Sequence, residues 1–181
     1  ANHGGRLVPV KAKDDLDIDV DAVEKAIDKH TVAMIINSPN NPSGRIYPEA
    51  TIKKLADMLR KKSCELDHAI YLISDEPYKK IVFDGNKVPG IMAEYENSII
   101  STSFSKDLSL PGQRIGYTVV SPKAEDVKLL IDGIVMCNRV LGYVNAPAVM
   151  QKVVAEMLGK SVDIDFYRKK RDRLCEILGN I

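Results

Sequence analysis

Short apolar runs alternate with amphipathic segments along the first two thirds of the chain. Leu7 to Val10, Val32 to Ile36, Ile70 to Ile73, Ser98 to Ser101 and Ile115 to Val120 are brief and rich in Val, Ile and Leu, which predicts strands. The middle three are expected to be buried on both faces, as in a parallel sheet covered by helices. Between them the apolar residues recur at three and four: Val20, Val23 and Ile27, then Ile52, Leu55, Ala56 and Leu59. That spacing predicts amphipathic helices. The second should start near Pro48, where a missing N–H costs nothing, and end in the basic Arg60-Lys61-Lys62. Strand, helix, strand is the rhythm of a parallel sheet. After Ser121-Pro122 the period changes: Val127, Leu130, Ile131 and Ile134 open a mostly helical C-terminal third that runs to Leu178. The expected fold class is α/β, a three-layer α/β/α sandwich around a mostly parallel central sheet.

Composition narrows the function classes. The 181 residues are 45% apolar and 28% charged, as in ordinary globular domains, and the length suits one domain. With 26 Lys+Arg against 25 Asp+Glu, the net charge of +1 offers no field for nucleic acid or an anionic membrane, and neither is expected as a partner. No apolar run approaches the ~20 residues needed to span a bilayer, and the polar, Gly-rich Ala1 to Arg6 is unlike a signal peptide. Cys64, Cys137 and Cys175 are odd in number and widely spaced, which speaks against a disulfide framework and for a reducing, cytoplasmic setting. The chain lacks an initiator Met and opens in a Gly-Gly turn, so it reads as an excerpt of a longer polypeptide. Arg168, Lys169, Lys170, Arg171 and Arg173 share a segment with Tyr167, Leu174, Ile177 and Leu178, which favours a solvated helix face over a phosphate-binding patch.

In a parallel sheet, ligands sit beyond the carboxyl ends of the strands, where loops converge. The residues following three successive apolar runs are Asn37-Ser38-Pro39-Asn40-Asn41-Pro42-Ser43-Gly44, Ser74-Asp75-Glu76-Pro77-Tyr78 and Thr102-Ser103-Phe104-Ser105-Lys106. They supply an amide, a carboxylate with a phenol, and hydroxyls with a lysine. A lysine in a partly desolvated pocket loses its charge more easily and attacks carbonyls to form a Schiff base, which is the role open to Lys106. A carboxylate below the same pocket, Asp75, can keep a pyridine nitrogen protonated and so make pyridoxal phosphate an electron sink. Tyr78 and Asn41 can hydrogen-bond the ring hydroxyl. Ser103, Ser105 and Arg114 can bind the phosphate, arginine through its planar fork.

Each residue also has a plainer reading. Lys106 alone is an ordinary surface lysine, Asp75 a cap or turn former, Asn41 a turn residue before Pro42, Ser103 and Ser105 strand terminators, and Arg114 a partner for any surface carboxylate. The set is stronger than its members, because independent turn formers have no reason to fall at three successive strand ends. His3, His30 and His68 lack metal-ligand spacing among themselves and with the cysteines, so no metal site is expected. No Gly-x-Gly-x-x-Gly or Walker-type loop is present. Met34, Met58, Met136, Met150 and Met157 read as packing residues.

The three strand-end motifs, together with Leu110-Pro111-Gly112-Gln113-Arg114-Ile115-Gly116-Tyr117, resemble the fold-type I pyridoxal-phosphate enzymes, specifically the class I and II aminotransferases related to aspartate aminotransferase. Their order and separations match the family over essentially the whole chain. The resemblance implies that Lys106 is the Schiff-base lysine and the group that moves a proton between the substrate Cα and the cofactor C4′. It implies Asp75 as pyridinium partner, Asn41 and Tyr78 at the ring oxygen, and Ser103, Ser105 and Arg114 at the phosphate. Ser43 stands where the family more often has Thr, and Pro77 where an aliphatic residue is common; neither disturbs these roles. By the same analogy Ile115 to Val120 should run antiparallel to the other strands.

Members of the family are much longer. On the N-terminal side the chain lacks the small-residue loop that cups the phosphate and the aromatic residue that stacks on the pyridine. On the C-terminal side it lacks most of the small domain and the arginine that grips the substrate α-carboxylate. Residues 1–160 are expected to be the central part of the large, cofactor-binding domain, and residues 161–181 a helix leading toward the small domain. The resemblance implies a parent aminotransferase, homodimeric, acting on an amino acid and a 2-oxo acid, with the excerpt inactive alone. Two alternatives share these motifs: a carbon–sulfur lyase or other Cα chemistry, and an aminotransferase-like effector-sensing domain of a regulator.

Overall fold

The computed structural model describes residues 4–179, so His3 lies outside the described residues. The elements follow in the order α1 (Val20–Ala26), β1 (Ala33–Asn37), α2 (Glu49–Leu66), β2 (Tyr71–Asp75), α3 (Ile91–Glu94), β3 (Ser98–Ser103) and α4 (Phe104–Asp107). A single 3-10 turn over Pro111–Gln113 precedes β4 (Gly116–Val120), and α5 (Val127–Val140), α6 (Ala148–Glu156) and α7 (Ile164–Leu178) complete the chain. The strands lie side by side in sequence order, β1, β2 and β3 parallel and β4 antiparallel to β3. The antiparallel last strand is as expected.

Strand alternation assigns the layers. Ile36 and Leu72 point to one side, where they join Val20 and Val23 of α1 and Ile52, Leu55, Ala56, Met58 and Leu59 of α2 in the main core, closed at its end by Ile91 and Tyr95. Tyr71, one residue before Leu72, faces the other side. Its hydroxyl donates to the Glu125 carbonyl at 3.2 Å, and its ring borders a cavity of about 410 Å³ lined by Leu130, Ile134 and Leu141 of and after α5. Helices thus lie on both faces, the second only partly covered. Tyr95 is almost wholly buried, and its hydroxyl is satisfied by the Ile70 carbonyl at 2.7 Å. Asp19 caps α1 by accepting from the Ala22 N–H, and Asp163 caps α7 by accepting from Phe166 N–H.

Several expectations change. Leu7 to Val10 forms no strand: no described strand lies beside it to take its backbone hydrogen bonds, and Leu7 is 78% exposed. β1 is not buried on both faces. It is an edge strand, and Ile35 is 63% exposed. α2 runs through Arg60-Lys61-Lys62 to Leu66, because those cations pair with Glu96, Asp57, Glu24 and Glu65 on the helix flank rather than stopping it; Asp67 ends it in the left-handed conformation at φ 57°. Met136 faces solvent rather than a core. The one-turn α3 was too short to show a period.

The basic segment is a charged helix face, as expected. Arg168 pairs with Asp165 and Asp172, and Arg173 with Glu176. Arg171 reaches off the helix to grip Asp84 through both oxygens, 2.5 and 3.1 Å, with its guanidinium 4.8 Å from the Phe83 ring centre. The accompanying apolar stripe is not packed: α7 has no buried residue.

Gly116 shows how closely β3 and β4 approach. It lies opposite Ser103, and a Cβ there would stand 2.4 Å from the Thr102 carbonyl oxygen and 3.0 Å from the Ser103 Cα. Both are backbone atoms that cannot swing aside. Gly116→Ala is therefore expected to force the strands apart at the Ser103 end, with a stability loss of about 1–3 kcal/mol as in other overpacked sites, read from denaturant unfolding.

Candidate active site

The carboxyl ends of β1, β2 and β3 bring the predicted residues to one edge of the sheet. Asn37 and Asp75, the last residues of β1 and β2, are register partners, and Ser101 of β3 stands beside Asp75. From β1 the chain enters a turn in which the Asn40 N–H donates to the Arg45 carbonyl and the Gly44 N–H to the Asn40 carbonyl, both at 2.8 Å. Gly44 takes φ 72°, which favours glycine. The Ser38–Pro39 and Asn41–Pro42 peptide bonds are cis. This turn presents Asn41.

Asn41 Nδ2 donates to the Tyr78 hydroxyl at 3.2 Å, which joins the β1 and β2 loops. The Lys106 Nζ lies 5.8 Å from the centre of the Tyr78 ring, so amide, phenol and amine converge although they are far apart in sequence. Lys106 sits on the short α4, opened by Ser103, whose Oγ accepts from the Ser105 N–H at 3.4 Å. α4 is locked to the sheet by the Phe104 N–H donating to the Ile115 carbonyl at 3.1 Å, and by Lys80 pairing with the buried Asp107 at 2.9 Å. Lys106 itself is solvent-exposed, so the partly desolvated pocket expected for it is not formed by the described residues.

Asp75 is exposed as a residue, yet its carboxyl is partly desolvated, and that burial, with the neighbouring Glu76 charge, raises its pKa above the ordinary aspartate value. An acid so placed gains from any cation brought to it. Arg114 is tied to the other predicted residues by none of the hydrogen bonds above, as Lys106 is joined to them only through the Tyr78 ring. Arg114 follows the 3-10 turn with φ 50°, and its Nη1 donates to the Pro111 carbonyl at 2.9 Å.

Residues to which the sequence reading gave no role also hold the site. Asn37 Nδ2 donates to the Asp75 carbonyl at 2.8 Å while its Oδ1 accepts from the Asn41 N–H at 2.7 Å. Glu76 is a buried carboxylate, satisfied by the Ser74 hydroxyl at 3.1 Å and the Lys79 ammonium at 2.7 Å. Its carbonyl accepts from the Thr102 hydroxyl at 3.0 Å, which ties the β2 and β3 ends together. Both residues stand inside the quoted motifs, at the strand ends themselves, and that position was the available signal. Away from this edge, the two ring nitrogens of His68 lie 3.1 and 2.9 Å from the Leu66 and Thr31 carbonyls, a structural engagement.

The sequence pattern of the aminotransferase class I and II family matches residues 1–177. The chain is 33% identical over 178 residues to a probable aspartate/prephenate aminotransferase of Thermus aquaticus, a match covering 96% of this chain and 44% of that protein. It is 31% identical to an arginine–pyruvate transaminase of Pseudomonas aeruginosa, with 98% and 44% covered. Among solved structures, an amino transferase from Eubacterium rectale superposes with a TM-score of 0.94 at 48% identity, covering 98% of this chain and 45% of that one. The chain thus spans less than half the length of these relatives. Enzymes of this kind use pyridoxal phosphate. On the family pattern across residues 1–177 and the strand-end motifs that fold to one edge, this chain belongs to the class I and II aminotransferases.

Proposed function

We propose that this chain is the cofactor-holding part of an aminotransferase that moves an amino group between an amino acid and a 2-oxo acid. The observation that carries the reading is the convergence of Lys106, Tyr78 and Asn41 at the end of a sheet whose second strand ends in Asp75. The named relatives support it: they act on different amino acids, and all are transaminases.

The donor set fits pyridoxal phosphate. Bound there, the cofactor supplies an aldehyde that condenses with amines and a pyridine ring that accepts the electron pair left at Cα. Lys106 Nζ would be the amine that holds the aldehyde and the base that moves a proton between the substrate Cα and the cofactor C4′. Asp75 keeps the ring nitrogen protonated, an assignment its elevated pKa supports, since the pyridinium offsets the carboxylate's desolvation. Tyr78 and Asn41 donate to the ring oxygen. Ser103 and Ser105, with Arg114, would hold the phosphate. The homodimer rests on the family resemblance, and a reducing cytoplasm on the three cysteines, all unpaired and exposed. No helix among the described residues is long and apolar enough to cross a membrane.

Borohydride reduction of the protein mixed with pyridoxal phosphate, followed by peptide mapping, tests the site. A single adduct on Lys106 is expected. Labelling spread over surface lysines would overturn the assignment.

A further inference from the structure

Asn37 is bonded to two parts of the site at once. Its side chain stands at the end of β1, directly across from Asp75, and the two ends of its amide do opposite work. The Nδ2 donates sideways into the Asp75 carbonyl at 2.8 Å, and the Oδ1 accepts forward from the Asn41 N–H at 2.7 Å. The Asn41 side chain in turn donates to the Tyr78 hydroxyl at 3.2 Å. The relay from strand to phenol therefore passes through one planar group of fixed length. Alanine cannot make either bond, and serine is too short to span both partners. Asn37 touches neither Tyr78 nor Lys106 in the hydrogen-bond and ring contacts described, so its influence reaches them through Asn41.

We propose that Asn37 is a positioning residue for the cofactor site: by clamping the Asn41 turn to the Asp75 strand, it holds Asn41 and Tyr78 where they can donate together to the cofactor's ring oxygen. This rests on the function proposed above. Donors at that oxygen stabilise its anionic form and so lower the pH at which the bound cofactor's visible absorption titrates. Releasing the turn weakens them, and the midpoint rises.

The test uses the polypeptide as its gene encodes it, loaded with pyridoxal phosphate and followed by absorbance against pH. Asn37→Ala is expected to raise the midpoint by about one pH unit, the size of one hydrogen bond to a charged group. Because Asn37 acts through Asn41, Asn37→Ala added to Asn41→Ala should move the midpoint no further than Asn41→Ala alone. A midpoint unchanged in Asn37→Ala, or shifts that add in the double variant, would overturn the proposal. Should the alanine variant not fold, Asn37→Ser supplies the same comparison. Borohydride labelling of the unmodified protein separates the two levels: without a Lys106 adduct the function itself fails, whereas with that adduct and an unmoved midpoint only the role of Asn37 does.

Discussion

In the full-length parent loaded with cofactor, Lys106→Ala should reduce transamination by at least about four orders of magnitude while leaving the fold intact. A positioned acid–base group alone contributes about 10²–10⁴-fold, and here the same nitrogen also holds the aldehyde, so both functions vanish together. The structure separates this loss from unfolding. Lys106 is exposed on α4, whose anchorage comes from the Phe104 N–H and the Asp107–Lys80 pair rather than from the lysine. Lys106→Arg should fail equally, because a guanidinium keeps the charge but does not deprotonate to a nucleophile. Single-turnover kinetics beside thermal unfolding read the two effects independently. Activity within tenfold of the unmodified protein would sink the assignment.

Asp75→Asn should lower turnover by about three orders of magnitude, since a neutral amide cannot hold the pyridine nitrogen protonated and the electron sink is lost. The basis is an ion pair in a partly desolvated site, where removing one charge of a close pair removes several kcal/mol of stabilisation. The cofactor-free protein should respond in the opposite sense. Burial and the Glu76 charge raise the Asp75 pKa in the folded chain, so the native state binds this proton more tightly than the unfolded chain does. Its contribution to stability is thus fully present below the ordinary aspartate pKa and is lost as pH rises through the elevated value. At neutral pH the ionised Asp75 strains the empty fold, and asparagine relieves it. Denaturant titrations at pH 7 and pH 4 should show the variant's advantage at pH 7 shrinking at pH 4. An equally active asparagine variant would contradict the pyridinium role, and one no more stable at pH 7 would contradict the raised pKa of Asp75.

Much of this site was readable from residue order because most of its members end a strand or follow its carboxyl end within a few residues. The period of the apolar runs located β1, β2 and β3, and the residues after them formed the Asn41, Tyr78 and Lys106 set that the fold brings together. Asn37 escaped because an asparagine beside prolines reads as a turn former; its second bond, to a strand 38 residues away, depends on register that local pattern does not encode. Glu76 escaped for a related reason: a carboxylate looks solvated until Ser74 and Lys79 are seen to enclose it. Leu7 to Val10 failed in the opposite direction. An apolar run is a strand only where another backbone accepts its hydrogen bonds, and composition cannot supply that neighbour. The open edge at β1 has the same origin, since alternation reports which side chains are apolar and not which are covered.

The grip of Arg171 on Asp84 and Phe83 gives the last helix an attachment unlike that of α1 and α2. α1 and α2 are held by a close-packed apolar interior, whereas α7, with nothing buried, is fastened by charge. Mobile ions screen such a fastening and leave the interior untouched. The sheet and the terminal helix therefore answer to different features of the surrounding solution: one to water's aversion for hydrocarbon, the other to the electrolyte.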